Sequence, residues 1–144
     1  GRALAARYED PDLTPVGSMP TSGSATYNGV AAYSSIPDID DILENAETMS
    51  TVTLQANFAS DSVSGQLSNF RDYENNALAG SVSLNNGSIA GNSISADLSG
   101  NVDSIPVAGA LQAGFVGPDA EAVVGTIEAD YGGKPIYGIF GAER

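Results

Sequence analysis

Gly114-Phe115-Val116-Gly117-Pro118-Asp119-Ala120-Glu121-Ala122-Val123-Val124-Gly125, followed by Gly138-Ile139-Phe140-Gly141-Ala142-Glu143-Arg144, decides the fold of this chain. Apolar runs flank Gly117-Pro118-Asp119. Glycine there supplies a positive φ and proline a fixed one, so the three residues read as a tight turn between two strands. The last stretch is a third strand.

Working back towards the start, the same texture recurs. Short β-prone runs alternate with Asn, Gly, Asp and Ser clusters about every ten residues, as in an all-β sandwich or barrel. Eight strands are expected: 25–35, 51–59, 62–69, 78–85, 88–98, 107–116, 122–131 and 135–142. In the second, Val52, Leu54, Ala56 and Phe58 alternate with Thr51, Thr53, Gln55 and Asn57, so one face is buried. Asn86-Gly87 predicts a two-residue hairpin, since both residues tolerate positive φ. That turn also accounts for the Asn86-Gly87-Ser88 glycosylation sequon. Isolated glycines (Gly29, Gly65, Gly80, Gly91, Gly109, Gly125, Gly138) fall one to a strand. Such glycines mark bends and bulges, and bends in most of the strands let a sheet close on itself. The expected fold is therefore all-β: a single eight-stranded antiparallel β-barrel, whose modest inward side chains either fill the bore or leave room for a small apolar ligand.

Residues 1–23 stand apart as an extended arm or linker, and residues 24–144 form the barrel. Arg2 to Tyr8 is too short for an independent helix, and residues 9–20 carry three prolines. Two connections within the barrel are long. In 37–50, Ile39, Ile42 and Leu43 are interleaved with Asp38, Asp40, Asp41, Glu44 and Glu47. One short amphipathic helix fits there, with acids in its first turn where the helix dipole favours them. The other long connection, 69–77, is read as a loop.

Composition narrows the function. Eighteen acids face five bases, a formal charge of −13. Such a field repels nucleic acids and anionic membranes and suits cationic partners. The chain has no Cys and no His, which removes the usual zinc and haem ligands and the Ser-His and Cys-His catalytic pairs. No apolar run reaches the length of a membrane-spanning helix. Glu128 and Asp130 alternate on one strand face, but no Trp is present to form a sugar platform beside them. They read as outward-facing acids, and no enzyme is expected.

The strand texture is similar to the β-barrel of transferrin-binding protein B and of factor-H-binding-protein-like bacterial surface lipoproteins. Four stretches carry the resemblance: Ala25-Thr26-Tyr27-Asn28-Gly29; Leu54 to Phe58 followed by Val63 to Leu67; Gly114 to Gly125; and Ile139 to Arg144. Val116 stands where that family often has Tyr, and Val124 where it often has Gly. The resemblance implies a non-catalytic binding module of a Gram-negative bacterium, outward-facing at the outer membrane or extracellular. Such a module recognises a host protein, an iron or haem carrier, or a small solute through barrel rim loops. It needs no cofactor, and a lipid anchor would lie upstream. The alternative is a structural component of an extracellular particle or filament, in which the barrel is a docking brick and the arm a connector. Self-association through the arm belongs to that reading.

Candidate partner-binding residues are Phe70, Arg71 and Tyr73, expected on the 69–77 loop, since Arg and aromatic residues dominate protein interfaces. Asp38, Asp40 and Asp41 have oxygen-ligand spacing for Ca²⁺. The Gly and Glu that a calcium loop needs at its sixth and twelfth places are here Leu43 and Met49. A solvated helix face accounts for the three acids.

Overall fold

A computed structural model describes residues 12–144; the Arg2–Tyr8 reading lies outside them. Nine strands form one antiparallel sheet: β1 (Ser24–Ser34), β2 (Thr48–Asn57), β3 (Ser62–Asp72), β4 (Ala77–Leu78), β5 (Gly80–Ala90), β6 (Ser93–Val102), β7 (Ile105–Val116), β8 (Ala122–Tyr131) and β9 (Lys134–Glu143). The order is β2-β1-β9-β8-β7-β6-β5-β3-β4, and β2 also pairs with β3. That last pairing closes eight long strands into a barrel, with β4 a two-residue addition to β3. A seven-residue helix, α1 (Ile39–Asn45), lies between β1 and β2.

The alternation expected for β2 holds: Val52, Leu54, Ala56 and Phe58 are buried. The expected hairpin at Asn86-Gly87 does not form. β5 runs through it to Ala90, and the chain turns at Gly91-Asn92. Asn86 instead has φ 54°, and Asn86-Gly87 together lie opposite Ala96, since Asn85 pairs with Asp97 and Ser88 with Ser95. This is a β-bulge, and the left-handed tolerance that suits Asn to a turn suits it equally to a bulge. The bulge shifts the inward phase from Val82 and Leu84 to Ile89. A second irregularity has the same form. Asn69 has φ 53°, the β2–β3 register slips beside it, and Phe70 becomes the inward residue after Leu67.

The interior is filled. Tyr27, Phe58 and Phe115 stack at one end, with Tyr27–Phe115 centroids 5.8 Å apart and Phe58–Phe115 5.7 Å. Tyr33 and Phe70 meet at the other end, 5.9 Å apart. Between them the strands come close. A Cβ at inward-facing Gly29 would strike the Gly141 carbonyl oxygen, and one at Gly109 would strike the Glu128 carbonyl and lie 2.6 Å from the Ala129 Cα. Strong strand coiling tips these positions onto the neighbouring backbone, so only glycine fits.

The two ends differ. At the arm end, Leu13 bridges to Val116. Thr14 donates from its amide to the Phe115 carbonyl (2.9 Å) and from Oγ1 to the Gly117 carbonyl (2.6 Å). Residues 12–14 thus extend the β7 edge and cover this end. At the helix end, α1 packs on the outer wall, where Ile42 is buried against Ala32 and Ile139.

The close strand approach gives a testable asymmetry. Ala for Gly normally stabilises slightly, by about 0.4–1 kcal/mol, through the unfolded chain. Gly17→Ala, with open space around it, is expected to follow that rule. Gly109→Ala is expected to reverse it and cost about 3 kcal/mol through overpacking, read as the shift in urea midpoint.

Candidate functional site

The two sequence motifs that decide the fold meet at the arm end. Tyr27 Oη donates to the Ala120 carbonyl at 2.6 Å, and Ala120 is buried with φ 57°. The Asp119 amide donates to the Glu121 carboxylate. Arg144 donates from Nη2 to the Asp119 carbonyl (2.7 Å) and from its amide to the Glu121 carbonyl (3.0 Å). Burial pushes the Tyr27 phenol up; Arg144 opposes this and Glu121 adds to it. The final residue therefore clamps the β7–β8 turn. These residues hold one end together.

The helix end carries the candidate site residues. Phe70 and Arg71, expected on a loop, lie on β3, because the Asn69 bulge lets the strand continue to Asp72. Phe70 is a core residue, paired with Leu78 of β4. Arg71 points outward and Nη1 donates to the Asn75 carbonyl at 3.2 Å. Tyr73 is 77% exposed. Only Arg71 and Tyr73 of the three thus face solvent.

The turn that holds Tyr73 is tightly bonded. The Asp72 carboxylate accepts from the amides of Glu74 and Asn76, each at 2.9 Å, and from Asn76 Nδ2 at 3.3 Å. The Asp72 amide donates to the Asn76 carbonyl, and the Asn75 amide to the Asp72 carbonyl. These bonds, the Asn76 amide first, hold the Asp72 carboxyl below its ordinary range. Asn75 completes the turn with φ 66°.

The acids of 37–50 serve the helix. Asp38 is the N-cap and accepts from the Asp40 and Asp41 amides, as a side-chain oxygen before a first helical turn should. Asp41 accepts from Ser34 Oγ at 2.6 Å. Among the described residues no three carboxylates are grouped to hold a metal ion. Glu128 and Asp130 are solvent-facing positions of β8, opposite Tyr137 and Pro135.

A second feature of this end answers the open question of whether the bore is plugged or leaves apolar room. An apolar cavity of about 50 Å³ lies inside the rim. Its floor is Tyr33, Leu67, Phe70 and Val102, all buried; Leu78, Tyr131 and Ile136 at its mouth are half-exposed. Tyr33 shares a 2.8 Å hydrogen bond with buried Ser50, and burial pushes its phenol well up despite that bond. The Tyr131 phenol is also raised, first by burial and then by the nearby Asp103 carboxylate. The pairing of Phe70 with Leu78 across a phase-shifted strand builds this cavity, and no local spacing announces it.

No curated protein matches the chain by sequence at a significant level. Solved structures share its fold. A transferrin binding protein B from Haemophilus parasuis Hp5 superposes with TM-score 0.61 at 21% identity, over 91% of this chain and 28% of that one. Isotype 1 transferrin binding protein B from serogroup B Neisseria meningitidis gives 0.60 at 16%, over 92% and 28%. A protein described as a surface lipoprotein gives 0.56 at 18%, over 90% and 64%. The chain thus spans little more than a quarter of the two transferrin binding proteins. The family model for the C-lobe and N-lobe β-barrels of Tf-binding protein B matches residues 19–144. With a closed eight-stranded barrel over the same residues, this chain belongs to the family of Tf-binding protein B lobe β-barrels.

Proposed function

We propose that this chain is a non-catalytic binding module of the bacterial cell surface, or released from it, which recognises a protein partner through the rim at the helix end. Residues 24–144 are the recognition barrel and residues 1–23 its arm. The observation that carries this reading is the 72–76 turn. It fixes an exposed Tyr73 beside Arg71, so two residue types that dominate interfaces are presented with little ordering left to do on binding. The relatives named for transferrin binding support a protein as the partner class. A free solute fits poorly, since the cavity of about 50 Å³ is far below the ~150 Å³ that accommodates benzene. The docking-brick alternative asks the arm to join another chain, whereas residues 12–14 are bonded to their own barrel.

Iron-loaded transferrin is the first probe. Arg71→Ala/Tyr73→Ala is expected to raise Kd at least ~10-fold by surface plasmon resonance, with an unchanged melting temperature. Unchanged affinity discards the rim, and no binding to the unaltered barrel discards transferrin as the partner. The turn itself is tested through Asp72. Its carboxyl is depressed on folding, so its contribution is complete above the ordinary carboxylate value of about 4 and lost as pH falls through the lower folded value. Amide exchange at Glu74 and Asn76 is expected to be protected at neutral pH, to accelerate on acidification, and to be fast at every pH in Asp72→Asn.

A further inference from the structure

The cavity at the helix end has a property that a filled barrel does not require. Its walls are apolar, its floor is buried, and its mouth residues Leu78, Tyr131 and Ile136 stay half-exposed. Its polar groups are satisfied: Tyr33 Oη bonds Ser50, and Tyr131 Oη donates to the Val102 carbonyl at 3.3 Å. No buried side-chain polar atom there is left for a polar ligand to engage. What fits is an apolar group of a few carbon atoms. A free molecule of that size is limited to about millimolar affinity even at the highest efficiency per atom, so the fitting occupant is one side chain of a larger partner.

The rim determines the setting of that side chain. The connections next to the mouth carry Glu47, Asp72, Glu74 and Asp103 against Arg71 and Lys134, on a chain whose net charge is −13. Arg71 is engaged with the Asn75 carbonyl. A segment reaching the mouth therefore enters a negative field, which favours cationic residues and disfavours anionic ones.

We propose that the cavity is an anchor pocket: it takes the branched methyl end of one aliphatic side chain, such as that of leucine, from a partner segment whose flanking residues are basic. This rests on the reading that the helix end is the recognition end and adds what the partner must carry.

The test uses the whole chain and three synthetic 12-residue peptides: a Lys/Ser peptide with one central Leu, the same peptide with Ser in place of Leu, and a Gly/Ser peptide with the central Leu. Binding is followed by methyl chemical shifts of Leu67, Leu78 and Val102. The Lys/Leu peptide is expected to shift these methyls and to bind about 10-fold more tightly than either control, with the advantage over the Gly/Ser peptide lost at 1 M salt. Ala129→Leu and Leu78→Phe, two separate ways of filling the cavity, are expected to abolish the Leu preference and keep the salt-dependent remainder. Either variant that retains its melting transition suffices. Equal binding of the Leu and Ser peptides, or methyl shifts absent at saturation, overturns the pocket. That result leaves the transferrin test of Arg71 and Tyr73 standing. Leu-dependent uptake alongside an unaffected Arg71→Ala/Tyr73→Ala variant leaves the pocket in place and removes the rim contact.

Discussion

Everything in this barrel depends on how closely neighbouring strands approach where no inward side chain intervenes. At Gly29 and Gly109 the adjacent backbone occupies the space a Cβ would need. Those approaches let ten- to twelve-residue strands coil tightly enough for β2 to reach β3. The aromatic rings then go to the ends, Tyr27, Phe58 and Phe115 at one and Tyr33 with Phe70 at the other. Residues 12–14 cover one end, and the cavity lies at the other.

The division of labour between the ends follows. At the arm end, Thr14, Tyr27 and Arg144, from three segments distant in sequence, donate to the carbonyls of Gly117, Ala120 and Asp119. At the helix end the connections are longer and bonded within themselves, as in Asp72 with residues 74–76 and Asp38 with residues 40–41. Locally bonded loops can change sequence without disturbing the barrel. Recognition is therefore better placed there than at the end built from the motifs that identify the family.

The architecture was legible because closure uses residues with narrow options: glycines in most strands, the Gly-Pro turn, alternation in β2. The errors share one cause. Asn69 and Asn86 adopt left-handed φ inside strands, and each reverses which face is inward. A change of phase looks like an end of alternation, and this places the expected end of one strand before Phe70 and of another at Asn86-Gly87. The signal was present, since Leu67 to Phe70 and Leu84 to Ile89 each span an odd number of residues between inward positions. Of the candidate site, Arg71 and Tyr73 could be nominated by residue type. An apolar space in the bore could be offered as one alternative, but its place and lining could not, because side chains on many strands meet there only on closure. The Asp38, Asp40 and Asp41 spacing was legible as ligand chemistry, but the geometry of a helix start explains it.

One feature of the topology reaches beyond the folded state. β1, the first strand, is hydrogen-bonded to β9, the last, from Asn28–Glu143 to Ser34–Tyr137. Every other long strand has its neighbours nearby in the chain, but the seam joins the two extremes. The seam cannot form until β9 has been delivered, and contacts spanning such a separation form slowly. A barrel sealed in this way closes only once β9 is in place, so the seam is the pairing with the greatest loop to close.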